Sequence, residues 1–525
     1  MYDNLRVFLE DLERRGQLVR VSAEVDADQE ITIIQHRVIA AKGPAILFER
    51  VRGSDYRLVS NLFGTPERIA LACGQHPREL GERLARVMHQ LMPPSLGSLW
   101  RARSDLMRLW PTRMRTVSKG PVLETSTEPP DLERLPVLTC WPEDGGPFFT
   151  WPLVHTVDPA NGQGNLGIYR LQRFDGQSTG MHWQIERGGG FHFHKAAELG
   201  RPLPVSVILG GPPALTIAAI APLPEGIDER LLAAYLMQKP LDVIMRPESG
   251  HRIPAAAEFV LEGSVQSNDV KLEGPFGDHF GHYSQAADYP VFRVRRVLAR
   301  QDAIYPATVV GKPIQEDYYI GEALQELVLP LVRQMKPAIR DIWAYPETGF
   351  HALAVMSVTE RYPHEALKHT LSILGEGQVS LTKVMITVDA DVDVHNFTRV
   401  SEALWRHLRA DGIHLLSPTA QDTLDFTGPA MNTGSRLILV ATAGDRPPER
   451  TTPPPLPMSV TDVHLQLQEA VAVGPAFLML KVAEGFDDLD ALAQALRRHP
   501  VAGQYLFHVL VSEDVPLQDP VMRLW

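Results

Sequence analysis

Only two cysteines, Cys73 and Cys140, occur in the 525 residues. That excludes a disulfide framework and any C-x-x-C zinc or redox motif, and points to a reducing, cytoplasmic compartment. Contiguous basic runs are missing too, and 51 basic against 63 acidic residues give a formal charge of -12. A nucleic-acid surface depends on clustered cations that release counterions from phosphates, so nucleic acid is not an expected partner. No stretch approaches the ~20 apolar residues of a membrane-spanning helix. The opening MYDNLRVFLEDLERRGQL mixes acids with its apolar residues and lacks the basic-then-apolar order of a secretory signal. Peripheral contact with a membrane stays open where the substrate is greasy.

What is present is the composition of a globular protein, 44% hydrophobic and 22% charged. At ~150 residues per domain the length suggests about three domains. Asn4 to Arg15 reads as a helix: Asp3 or Asn4 can cap it, Leu5, Phe8, Leu9 and Leu12 recur at helical spacing, and Gly16 ends it. PAILF (Pro44 to Phe48) and YRLVS (Tyr56 to Ser60) read as strands, and Glu79 to Met92 as a helix stopped by Pro93 and Pro94. From about Gly120 the texture turns rich in Pro and Gly. VSVILG (Val205 to Gly210) and LTIAAIA (Leu215 to Ala221) read as buried strands, and Phe292 to Leu298 as a half-exposed one. So many strands with few helices predict a barrel or sandwich. Beyond about Gly321 strands and helices alternate, from Ala352 to Val358 through Leu437 to Ala441. The proline-rich RPPERTTPPPLP (446–457) is an extended connector.

Two motifs fail their context. Gly162, Gly164 and Gly167 match G-x-G-x-x-G, but IYRLQRF follows with strand character where a dinucleotide fold needs a helix N-terminus. His192 and His194, with Glu198 behind, would share a face on a strand, yet Lys195-Ala-Ala-Glu-Leu opens as a helix. Carboxylates make the stronger case. Glu273-Gly-Pro-Phe-Gly-Asp278 sets two acids five residues apart on a turn forced by Gly274, Pro275 and Gly277, so both can face one pocket. In a partly dry site they would repel, and one would gain proton affinity and donate near neutral pH. A solvated turn bearing two surface acids fits the same pattern. Arg170 could hold a substrate carboxylate through its planar fork, or be an exposed strand arginine. Asn165 and Glu229 offer hard oxygen ligands that suit Mg2+ or Mn2+ better than zinc. Arg187-Gly188-Gly189-Gly190, a glycine-rich turn, can bring backbone N–H groups and a guanidinium to a phosphate.

NLGIYR, the following MHW and RGG, P-x-P-E-G-x-x-E, E-x-V-L-E-G (Glu258 to Gly263) and EGPFGDH resemble, in order and approximate spacing, the UbiD family of decarboxylases that use prenylated FMN. The likeness takes in LRVFLEDLERRGQL, GPAILFERVRG, NLFGTPER, TCWPEDGGP, DAIYPATVVGKP, TKVMITVDADVDV and TLDFTGP, and covers roughly residues 1 to 440. The resemblance implies an α+β multidomain fold. Its parts are an N-terminal α/β domain (1–118), a central split β-barrel of the flavin-reductase type that binds the flavin (119–320), and a C-terminal α/β oligomerisation domain (321–525).

By position, the resemblance puts a divalent metal, Mn2+ or Mg2+, on Asn165 and Glu229, bridging to the cofactor phosphate, with K+ as a further ion. It puts flavin contacts on Ile168, Tyr169, Arg170, His182, Trp183, Gln184, Arg187, Gly188 and Lys383. Asp278 becomes the proton donor, and Glu273 interacts with Arg170 and tunes it. Glu186 stands where many members carry a histidine, so no third protein ligand to the metal is assigned. The last ~85 residues look more like longer relatives linked to menaquinone synthesis. The implied activity is decarboxylation of a hydroxybenzoate- or naphthoate-type acid in quinone biosynthesis. A flavin prenyltransferase would supply the cofactor, and a homodimer or homohexamer would be the assembly. Two other classes fit the residues less fully: a redox flavoprotein with a flavin-reductase barrel, and a non-catalytic flavin-binding subunit.

Overall fold

The structure is a computed structural model that describes residues 1–92, 95–184, 187–223, 226–312, 314–350, 352–444, 446–455, 463–464 and 466–517. It forms two compact units, Met1–Pro330 and Leu331–Trp525. The first unit starts with the helix Leu5–Arg14, capped by the Asn4 side chain on the Val7 amide and burying Leu5, Phe8, Leu9 and Leu12. Strands Leu18–Val25, Ala45–Val51 and Arg57–Ser60 follow. They are joined far along the chain by Ile304–Pro306, which pairs in parallel with Arg57–Val59. That return explains why one apolar core runs from Leu5 to Leu327.

A knot of buried polar groups ties the same ends together. The fully buried Arg68 donates to the carbonyls of Leu62 and Gly43 and to the Gln17 amide oxygen. The equally buried Glu316 accepts from the amides of Asn61 and Phe63 and from the Thr308 hydroxyl. Arg68→Ala strands those acceptors in the core, and is expected to cost about 3 kcal/mol. Thermal unfolding should show Tm falling by roughly 6–12 °C.

At the centre lies a nine-stranded sheet whose pairings are all antiparallel. Its spine is the long pair Phe259–Glu273 and Ala287–Ala299. The register of that pair slips between Glu262 and Gly263 and again between Val265 and Val270. Such bulges bend and twist a strand pair, and they curl this sheet around a second apolar core, Val25 to Val309. Leu215 to Ala221 is not the strand expected. Pro213–Ile220 is a helix with proline at its start and Leu215, Ile217, Ala218 and Ala219 all buried. A helix apolar on every side has no 3.6-residue stripe, so its short run cannot be told from a strand by periodicity.

The second unit carries a five-stranded sheet in which Leu353–Val358, Val384–Asp389 and Thr433–Ala441 are parallel neighbours. Helices Glu365–Ile373 and Phe397–His407 connect them. After the proline-rich connector, Leu467–Val473, Phe477–Val482 and Phe507–Val511 form a small sheet with the helix Leu489–Arg498. An open cavity of about 1230 Å³ lies at the carboxyl ends of the parallel strands, lined among others by Glu360, Asp389, Arg406 and His407. It contains none of the candidate site residues. No helix of the described residues is long and apolar enough to cross a membrane.

Candidate functional site

Arg170 follows the strand Gly164–Ile168, so its side chain leaves the sheet where the strand ends. Three groups hold its guanidinium. Nε donates to Glu273 Oε1 at 3.3 Å, Nη1 to Asp278 Oδ2 at 2.5 Å and Nη2 to the Ser284 hydroxyl at 2.9 Å. Its plane lies 4.9 Å over the Phe276 ring. Glu273 closes the long strand, Gly274 turns the chain at a φ of +96°, and Asp278 lies beyond the turn. Both acids are buried. The two acids and Arg170, more than a hundred residues apart, thus meet in one dry place, and the solvated-turn reading does not hold.

The loop that carries Asp278 is clamped from behind. Asp144 accepts from the amides of Cys140 and Trp141 at 3.0 and 2.9 Å with one oxygen, and from Gly277 at 2.8 Å with the other. A side chain at Gly277 would meet Trp141 at 2.1 Å. Gln172 adds a second tie, accepting from the Gly274 amide and donating to the Gly145 carbonyl. Only the acid-and-glycine pattern of TCWPEDGGP hints at Asp144 in the sequence. Nothing there marks Ser284.

One expectation is corrected. The spacing of the two acids predicts that repulsion between them raises the proton affinity of one. Burial does push the Asp278 carboxyl up, but the His279 imidazole, by hydrogen bond and charge, and Arg170 outweigh it and hold it well below the usual carboxylate range. The Nδ1 of His279 lies 2.6 Å from Asp278 Oδ1. A guanidinium between the acids replaces their repulsion with attraction. His182 joins from the other side, 2.8 Å from Glu273 Oε1 and stacked on Tyr289. Burial, then the charge of Arg170, lowers its proton affinity, so the neutral ring donates Nδ1–H to Glu273.

On the same strand, Asn165 faces a different cluster. Glu229 accepts from the amide of Leu166, the next residue, at 2.7 Å. Burial pushes the Glu229 carboxyl up to about 7. Gly188 presses so closely that a Cβ there would lie 2.1 Å from Asn165 Oδ1, and the buried Asn165 Nδ2 has no protein partner. Gly188–Glu198 is a helix with Arg187 at its N-cap position. The three glycines are therefore its first turn and not the loop expected, and the helix starts well before Lys195. The Tyr169 hydroxyl accepts from the Gly189 amide, and its ring packs edge-on against Trp183. The chemistry of the donors suits a hard cation: the Asn165 amide oxygen and the Glu229 carboxylate are hard oxygen donors, beside a helix N-terminus suited to phosphate. Among the described residues no group of three or more His, Cys, Asp or Glu could hold a metal. The remaining ligands would come from phosphate and water, as Mg2+ commonly takes them.

Ile168 is the last residue of its strand, half-buried, and Gln184 is half-buried after Trp183. Lys383 belongs to the second unit, where it donates to Asp425 Oδ2 at 2.8 Å. Glu186 lies outside the described residues. His192 sits within the helix, 2.9 Å from the Thr156 hydroxyl, while His194 pairs with Glu198 at the surface, so they do not converge on a metal.

Sequence comparison matches three consecutive domain families. They are the 3-octaprenyl-4-hydroxybenzoate carboxy-lyase N-terminal domain at residues 9–88, its Rift-related domain at 115–313 and its C-terminal domain at 318–441. A 4-hydroxybenzoate decarboxylase subunit of Chlamydia pneumoniae is 44% identical over 426 residues, 81% of this chain and 72% of that protein. The vanillic acid decarboxylase of Sedimentibacter hydroxybenzoicus shares the fold, with a TM-score of 0.75 and 24% identity over 88% of this chain and 96% of that one. HmfF of Pelotomaculum thermopropionicum, a UbiD-class enzyme solved with FMN, gives a TM-score of 0.69 and 27% identity over 86% and 97% of the two chains. An evolved dimeric form of HmfF, solved with prFMN, gives 0.70 and 26% over 88% and 100%.

Proposed function

The chain belongs to the UbiD family of carboxy-lyases, and from that premise we propose that it decarboxylates a hydroxybenzoate- or naphthoate-type acid in quinone biosynthesis, using prenylated FMN and a divalent cation. The observation that carries this reading is the Arg170 guanidinium seated between the buried carboxylates of Glu273 and Asp278. Asn165 and Glu229 would hold Mn2+ or Mg2+, and Arg187 and the amides from Gly188 onward would hold the cofactor phosphate. The curled antiparallel sheet supports a split β-barrel of the flavin-reductase type over 119–320. The families matched at 9–88 and 318–441 agree with flanking domains that begin at 1 and near 321, proposed here as 1–118 and 321–525, and the second of them is extended to 525 on the compact unit Leu331–Trp525. A homo-oligomer and a flavin prenyltransferase as cofactor supplier complete the proposal.

When bound, the modified flavin supplies an electron sink for the pair that CO2 leaves on the ring carbon. The rest is the work of side chains. Arg170 orients the substrate carboxylate through its fork, and its place over Phe276 restricts the directions that fork can face. The dry pocket favours release of neutral CO2 over retention of a charged group. A carboxylate on Arg170 draws the guanidinium away from Asp278 and adds a second negative charge, so Asp278 gains proton affinity only once substrate is present. The bond from ring carbon to carboxyl breaks, a C–H bond forms with the Asp278 proton, and solvent replaces that proton.

The test is purification after co-expression with a flavin prenyltransferase, followed by an absorbance spectrum and a CO2-release screen over hydroxybenzoates, dihydroxybenzoates and naphthoates. Flavin absorbance with release from one of these acids is expected. A colourless protein, or a coloured one inert on all of them, overturns the proposal. Gly188→Ala probes the phosphate end: its Cβ would displace Asn165, yet alanine favours a helix over glycine by up to ~1 kcal/mol. Flavin content is expected to fall about tenfold, a loss of roughly 1.4 kcal/mol in affinity, with Tm unchanged or higher.

A further inference from the structure

Residues 89–114 fall between the matched families, which end at 88 and resume at 115. Two short helices lie there, Leu96–Arg101 and Arg103–Leu109. They are packed inside out. Ser98 and Ala102, small residues, are buried, whereas Leu96 is 88% exposed, Trp110 76%, Met107 75%, Trp100 68% and the preceding Met92 66%. These are five of the six most exposed large apolar side chains among the described residues, and Leu99 is exposed beside them. Spacing makes this coherent. Residues 98, 102, 105, 106 and 109 turn inward or half-inward, and 96, 99, 100, 103, 107 and 110 turn outward, at the 3.6-residue period of one helical face. A contiguous apolar face left in water marks a contact surface.

Its charge says with what. From 96 to 113 there are four arginines, Arg101, Arg103, Arg108 and Arg113, against Asp105 alone, a net of +3 in a chain of -12. These arginines escape a search for a basic run because aromatic and aliphatic residues separate them. Arg103 lies 4.4 Å over the Trp100 ring and Arg113 5.8 Å from that of Trp110, and neither is ion-paired among the described residues. A symmetric contact between two copies would set +3 against +3, since such an interface opposes a patch to itself. Exposed tryptophans interleaved with arginine are instead the chemistry of a helix lying in the headgroup layer of an anionic bilayer.

We propose that the Leu96–Leu109 helices dock the protein on an anionic lipid surface, Trp100, Met107 and Trp110 entering the headgroup layer and Arg103 and Arg113 meeting lipid phosphates. This does not rest on the catalytic reading and is tested without reference to turnover. The full chain is sedimented with vesicles of phosphatidylcholine and phosphatidylglycerol in a two-to-one ratio, and with vesicles of phosphatidylcholine alone. Binding to the anionic vesicles is expected, with a blue shift of tryptophan emission and weakening as salt screens the charge. Trp100→Ser/Trp110→Ser, and separately Arg103→Glu/Arg113→Glu, should each weaken partitioning at least about tenfold. All four side chains are exposed, so the fold should survive, which an unchanged Tm verifies. Absence of vesicle binding overturns the proposal, as does binding that ignores lipid charge. Loss of the oligomer in the tryptophan variant, where the natural chain ignores vesicles, would assign this face to a second copy and overturn it equally.

Discussion

Asp278→Asn is expected to cut kcat about 10³-fold, the middle of the range for losing a positioned proton donor, and to leave flavin content unchanged. The amide keeps the size of the side chain and can still face Arg170, so the pocket should persist. What goes is the proton that, on the proposed function, Asp278 delivers to the ring carbon. A redox flavoprotein or a flavin-binding subunit would ignore the change. Single-turnover CO2 release separates the cases further: if carbon–carbon cleavage stays fast in the variant and exchange of the ring hydrogen with solvent deuterium stops, Asp278 acts after CO2 leaves. Full turnover in the variant would remove Asp278 from the mechanism.

The pH dependence carries the same logic with a definite sign. In the free protein His279 and Arg170 overcome burial and keep Asp278 ionised far into acid, so the proton that the step needs is taken up after substrate binds and kcat/KM falls as pH rises across the neutral range. In the complex the substrate carboxylate competes for Arg170, the pKa of Asp278 rises, and the protonated form is the active one. kcat therefore falls as pH rises through that pKa. A profile of kcat that rises monotonically from pH ~6 to ~9 would contradict this ordering.

Much of the site can be read from residue types and spacing, for identifiable reasons. Glycine and proline around Glu273 and Asp278 announce a turn, and a turn that presents two acids leaves few orientations. The strand after Asn165 is legible because β-branched and aromatic residues follow one another where a helix would need a stripe. Chemistry between residues distant in sequence is not legible. The His279 imidazole, next to Asp278 in the chain, and Arg170, more than a hundred residues away, together reverse the sign of the Asp278 shift, and the spacing of the two acids encodes neither contact. Asp144 acts through the loop that it holds, and Ser284 holds Arg170 directly across the fold, so their roles exist only once the fold has formed. The helix Pro213–Ile220 and the first turn Gly188–Gly190 escape pattern reading for opposite reasons: one has no polar face to show periodicity, and the other has no side chains to show any. The outward apolar face at 96–110 has ordinary helical periodicity. Sequence alone cannot tell which side of such a helix meets the core.

Arg170 is the residue whose loss should cost most, because it is needed twice. Arg170→Lys keeps one charge but loses the planar fork that Glu273, Asp278 and Ser284 share, and is expected to lower kcat/KM about 10³-fold. Arg170→Met goes further, leaving two buried carboxylates without their cation at a cost of roughly 3–5 kcal/mol. The sign with pH follows from which state binds protons. In the natural chain the depressed pKa of Asp278 gives stability that is present above its unfolded value of 3.8 and is lost as pH falls through the folded value. In Arg170→Met the His279 imidazole alone is left to counter burial at Asp278, so that carboxyl sits higher than in the natural chain. The variant therefore has less of this stability to lose as pH falls through the acid range. The gap in Tm between the natural chain and Arg170→Met should thus be wider near pH ~6 than near pH ~3, as differential scanning calorimetry would measure. A gap that is constant across that range would mean that Arg170 serves packing against Phe276, and that the acids do not depend on its charge.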